Sequence, residues 1–128
     1  MIPSRWPDAT ALVLDYLRPH FPHITITRTR NATDARQVVV GDVYGGRTTA
    51  ITRSCTILLS AWVIDPDGHG NLHEARELMG DVMYRLQLMT RLPEVVTATE
   101  GSGPTAVKDT TEVEYAEGSV VLGIHRNR

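Results

Sequence analysis

Apolar residues first recur at helical spacing. Ala9, Leu12, Val13, Tyr16 and Leu17 fall at i, i+3, i+4, i+7 and i+8, which predicts a helix from Asp8 to Arg18 with one apolar stripe. Pro7 suits a first-turn position, and Asp8 favours the positive helix N-terminus. Pro19 stops the helix and Pro22 keeps the chain extended. From His23 to Arg30 the period becomes two, with Ile24 and Ile26 opposite Thr25 and Thr27, as in a half-buried strand. Asn31 to Arg36 is a polar loop. Gln37 to Tyr44 reads as a second strand, rich in β-branched Val38, Val39, Val40 and Val43. Gly45-Gly46 is a turn signal. Arg47 to Ile64 reads as the returning strand. Ile51, Cys55, Ile57, Leu59, Ala61 and Val63 share one face, interrupted by Arg53, and the other face turns apolar at Leu58, Trp62 and Ile64.

A strand of roughly seventeen residues would span more than about 50 Å. A compact chain of this length is only about 36 Å across. Either the strand bends near Arg53 or the hairpin projects. Asp65 to Asn71 is a loop, and Asn71 with Glu74 forms a capping-box-like start for a helix from Leu72 to Arg91. Leu72, Ala75, Leu78, Met79, Val82, Met83, Leu86 and Met89 make its buried stripe, and Pro93 ends it. Val95 to Thr99 is a short strand and Glu100 to Asp109 a loop holding Gly101, Gly103 and Pro104. Glu112 to Arg126 is strand-like. The apolar parity flips between Tyr115 and Val120, so Gly118 marks a bulge or tight turn. The expected fold is one α+β domain over 1–128, with two helices on one face of a mostly antiparallel sheet and a long β-hairpin.

Composition narrows the function classes. The chain has 128 residues, 41% hydrophobic and 22% charged, as in a folded domain. Thirteen basic against fifteen acidic side chains, net −2, argue against a chain built to grip nucleic acid. Arg28, Arg30 and Arg36 cluster without interleaved aromatics. Cys55 is the only cysteine, so no internal disulfide and no CxxC site can form. The apolar stretch Cys55 to Ile64 is too short for a membrane helix, which needs about 20 residues. The first residues lack a signal-peptide core. A cytoplasmic site of synthesis is expected, with no membrane partner.

Searches for chemistry give little. His69 and His73 are four apart, but HExxH is absent and no third ligand has suitable spacing. Asp65-x-Asp67-x-His69-Gly70 opens like a calcium loop, then places His69 and Arg76 where ligands belong. The glycines fit neither a P-loop nor a dinucleotide fingerprint. Cys55 sits mid-strand on the apolar side, and the serines lack a nucleophile elbow. Glu112 and Glu114 share a strand face, as solvated acids do. Trp62 either fills the core or, with Leu58 and Ile64, forms a second apolar sheet face awaiting a neighbour.

The sequence of elements carries a resemblance. Pro7-Asp8-Ala9 through Leu17-Arg18-Pro19, then Ile24-Thr25-Ile26, Val38-Val39-Val40 with Gly45-Gly46, Ala61-Trp62, the helix from Ala75 to Leu92, and Gly103-Pro104 with Asp109 and the closing strand are similar in order and spacing to the tail terminator (tail completion) proteins of long-tailed bacteriophages. The resemblance implies a structural protein of the virion with no catalytic residue, cofactor or metal. It implies a ring, hexameric in that family, that caps the finished tail tube at the tail–neck junction after assembly in the host cytoplasm. The implied partners are other copies of the chain, the tail tube protein and the head-side connector, with no specific nucleic-acid binding. Another neck or head-completion protein is the alternative, and a small ligand-binding module or enzyme a further one. From exposure and apolar pattern, the candidate interface residues are Tyr44, Arg47, Leu58, Trp62, Lys108 and Asp109.

Overall fold

The computed structural model describes residues 7–48 and 52–125, and the side chains of these residues except 45–48. Helix α1 spans Ala9–Leu17. Asp8 caps it, its carboxylate accepting the Ala11 N–H at 3.0 Å. The buried residues are Ala9, Thr10, Val13, Leu14 and Leu17, whereas Leu12 and Tyr16 are half-buried. This turns the buried face away from the expected stripe. The Thr10 hydroxyl donates to Asp42 of the sheet at 2.6 Å, so the Thr10–Leu14 side faces inward. Helix α2 spans Leu72–Gln87 and starts at Asn71, whose side chain accepts the Glu74 N–H at 3.1 Å. It stops four residues short of Arg91. A 3₁₀ turn over Met89–Arg91 follows and keeps Met89 fully buried.

Five strands form one sheet: β1 Thr25–Thr27, β2 Arg36–Thr48, β3 Thr52–Val63, β4 Val95–Lys108 and β5 Glu114–His125. Their order is β1-β2-β3-β5-β4, and every pairing is antiparallel except β1 with β2. Both helices pack on one face of it, and a single core joins them to Ile26, Val38, Val40, Cys55, Ile57, Leu59, Val120, Leu122 and Ile124. The expected α+β layout with a long hairpin is the observed one.

The sheet departs from the sequence reading too, beginning with β1, which holds only Thr25–Thr27 of the expected His23 to Arg30 strand. Gly45-Gly46 is not the hairpin turn. β2 continues to Thr48, and two extra residues enter it between the pairs Tyr44–Cys55 and Thr48–Arg53. The expected irregularity near Arg53 is therefore a bulge in the facing strand, and the turn itself, with Ile51, lies outside the described residues. The hairpin does not stand alone either, because β5 flanks β3 from Thr52 to Ala61 without a break in register.

Glu100 to Asp109 is not a loop. β4 runs through it to Lys108 and absorbs Gly101 and Gly103 in two of its three register shifts against β5, the third lying between Val95 and Thr97. Bulges of this kind suit an edge strand, whose outer side they make a poor template. The Gly103–Pro104 peptide bond is cis.

Gly118 is neither a bulge nor a turn. It faces α2 in regular strand, where a Cβ would come within 2.8 Å of the Met83 sulfur and 3.0 Å of the Met79 sulfur. Its missing side chain lets the helix approach the sheet. The parity flip that suggested a break has another cause: Tyr115 is an apolar residue on the opposite face.

Candidate functional site

The opposite face carries no helix. Alternation along each strand assigns its residues. They are Gln37, Val39, Gly41 and Val43 of β2, the even-numbered positions of β3 from Thr52 to Trp62, and Tyr115, Glu117, Ser119, Val121 and Gly123 of β5. Thr97, Thr99, Ser102, Thr105 and Val107 of β4 lie beside them. Hydroxyl, glycine and β-branched side chains dominate. Val43 is 54% and Leu58 46% exposed, large values for apolar side chains in mid-strand. Glu117 is the one acidic or basic side chain that these positions hold short of His125 at the far end. A shallow groove of about 500 Å³ crosses the face between Val39, Gly41, Leu58 and Ser60 on one side and Ser102, Thr105, Glu117 and Ser119 on the other, with Arg28 at its flank.

One end of this face is closed by the loop between β1 and β2. Gln37 is buried and holds that loop from below. Its amide donates to the Asn31 and Asp34 carbonyls at 2.6 and 2.9 Å and accepts the Asn31 N–H at 2.8 Å. The loop thereby lays the Arg30 guanidinium over Trp62, 3.9 Å from the ring centroid. Tyr115 stacks against the same indole at 3.9 Å and 12°. Two planar groups at that distance must take opposite sides of the ring, so Trp62 is sandwiched. The indole N–H donates to the Ser60 hydroxyl at 3.2 Å, and the Tyr115 hydroxyl donates to Glu117 at 3.0 Å. Burial, then the bond to Glu117, raises the Tyr115 pKa.

Arg30 also reaches Asp109 at 3.4 Å. Asp109 organises the turn between β4 and β5 by accepting from the Thr111 hydroxyl and N–H and the Val113 N–H, at 2.7 to 2.9 Å. The Thr111 hydroxyl leads the bonds that hold its carboxyl below the usual carboxylate range.

The structure thus brings Trp62 and Asp109 together through Arg30, with Leu58 on the same face. It does not bring Tyr44 there. Tyr44 is half-buried on the helix side, where its hydroxyl donates to the Pro7 carbonyl at 3.1 Å and accepts the Ala9 N–H at 3.2 Å. Arg53 lies over its ring at 4.4 Å. Tyr44 therefore anchors the start of α1. Lys108 is exposed at the end of β4. The Arg47 side chain lies outside the described residues. Trp62 is 6% exposed, yet it belongs to the second face and not to the helix-side core. Sequence reasoning missed Arg30, Gln37 and Tyr115. The parity flip at Tyr115 was the available signal.

The other candidates for chemistry disperse. Arg28, Arg30 and Arg36 pair with Asp8, Asp109 and Glu74 respectively, so the three do not act as one basic patch. His69 sits 3.0 Å from Asp67, and His73 sits 3.5 Å from Glu77. Among the described residues no group of three or more His, Cys, Asp or Glu converges on a metal position. Glu112 lies in the turn with φ 64°, outside β5, so it does not share a strand face with Glu114. Burial pushes the Cys55 thiol up to about 11, so it is protonated at neutral pH. No described helix is long and apolar enough to cross a membrane. No protein-family model and no curated protein sequence matches the chain.

Proposed function

We propose that this chain is a structural subunit of a bacteriophage tail terminator. Copies of it close into a ring on the finished tail tube, stop its growth and present a surface to the head-side connector. The observation that carries this reading is the unlikeness of the two ends of the sheet. At one end lies β1, three residues in parallel pairing beside the long β2–β3 hairpin. At the other lies β4, fourteen residues with three register shifts. A closed ring needs two different complementary surfaces on each subunit, since a head-to-tail contact joins unlike patches. A sheet with unlike ends supplies such a pair.

The experiment is tail-tube polymerisation in the presence and absence of the purified protein, followed by negative-stain imaging. The reading expects extra density on tube ends and arrested growth. Tubes of unchanged length with bare ends contradict it. Binding to a portal-side ring with no effect on tubes would instead place the chain among neck proteins.

A further inference from the structure

We infer that the solvent side of α2 is a contact with the α2 of a second copy of this chain, the two helices lying antiparallel about a two-fold axis that passes between them at the level of Val82. The inference stands on α2 itself and does not rest on the tail-tube reading.

Gly80 is the first observation. It lies midway along the sixteen residues of α2. After proline, glycine is the least favourable residue in a helix interior. Gly70, Gly103 and Gly118 each have neighbouring atoms where a Cβ would sit, which accounts for them within one copy. Gly80 is exposed, and a Cβ there would meet nothing within 4 Å. Its φ is not positive either. Among the described residues, nothing inside one copy asks for a glycine here. Bare backbone on an outer helix face is a notch that lets a neighbour approach closely.

Tyr84 is the second. It lies one turn further along the same side of α2. At 64% it is the most exposed large hydrophobic side chain among the described residues. Tyrosine is one of the residues that dominate interface energy when a neighbour covers them. Notch and knob on a single helix complement each other. A two-fold axis perpendicular to α2 at the level of Val82 exchanges positions 80 and 84. Tyr84 of each copy then enters the notch at Gly80 of the other. An isologous contact has this form, residue i on residue j and j on i.

Charge agrees with that orientation. Asp81 and Arg85 lie on one flank of the same side, both exposed, and neither makes an ion pair among the described residues. The two-fold sets this flank of one copy beside the same flank of the other. At a rise of about 1.5 Å per residue, Asp81 of one copy stands within about 3 Å, along the helix axis, of Arg85 of the other. Two such pairs form, one above the axis and one below it. The contact runs along one helix of about 24 Å. That is at the small end of specific interfaces, so the dimer is a weak one.

Sedimentation equilibrium of the full chain, at concentrations up to about 1 mM, tests this. The expected result is a monomer–dimer equilibrium. Tyr84→Ala should weaken it by roughly tenfold or more, with helix content unchanged, because Tyr84 is outside the core. Gly80→Gln should raise the melting temperature in dilute solution, since glutamine is the better helix former, yet weaken association by filling the notch. A change in helix propensity alone would not move the two readouts in opposite directions. Asp81→Arg should weaken the dimer too, and Arg85→Asp added to Asp81→Arg should restore it. A wild-type chain that stays monomeric throughout overturns the inference. So does any oligomer, ring included, whose mass survives Tyr84→Ala and Gly80→Gln unchanged. Tube capping by a chain that fails these tests would leave the tail-tube reading standing while this one falls.

Discussion

Gly118 shows how one missing side chain sets the distance between layers. Any Cβ there meets the sulfurs of Met79 and Met83. Methionine thioethers swing aside easily, so Gly118→Ala should be mild. Gly118→Val should cost about 1–3 kcal/mol by overpacking, read from denaturant unfolding. Equal stability of both variants would mean that α2 does not press on this position. Asp8 acts through a cap. Its pKa is lowered by the Ala11 N–H first and by Arg28 next. A carboxylate with a folded-state pKa below its unfolded value stabilises the fold above the unfolded value and loses that contribution as pH falls through the folded one. Asp8→Ala should therefore cost about 1 kcal/mol near neutral pH, and the difference from wild type should shrink on acidification below the carboxylate range. A gap independent of pH would contradict the cap.

Elements were legible where their signals are local. Asn71 and Glu74 sit three residues apart and mark the start of α2, and the period of Ala75 to Leu86 fixes its buried side. β4 was not legible beyond Thr99, because Gly101, Gly103 and Pro104 read as loop residues. Pairing with the unbroken β5 keeps the segment extended, so tertiary context overrides local propensity. The covered end of the second face was hidden for a similar reason. Arg30 and Asp109 are 79 residues apart, and no local pattern joins them. The loop between β1 and β2 should be a separable unit. With Trp6, the other tryptophan of the chain, replaced by phenylalanine, Arg30→Ala should expose Trp62, red-shift its emission and cost about 0.5–1 kcal/mol, with helix content unchanged. Emission identical to that of the parent would show that Arg30 does not shield the indole.

At the scale of the whole molecule, the sheet divides the work. One face binds both helices into the core, and the other carries a neutral surface closed at one end by the Arg30–Trp62–Tyr115 stack. In the ring proposed above, the unlike ends of the sheet, short parallel β1 and bulged β4, would be the two surfaces that join neighbouring copies. The layered α+β architecture followed from the sequence pattern. The neutrality of the second face became visible only once the register had set β2, β3, β5 and β4 side by side, because its residues are scattered across the chain. The most direct test of the central claim is imaging of growing tail tubes with the purified protein added. A ring seated on tube ends, with growth stopped, is the predicted result. Tubes that lengthen at the control rate and carry no density at their ends would contradict it.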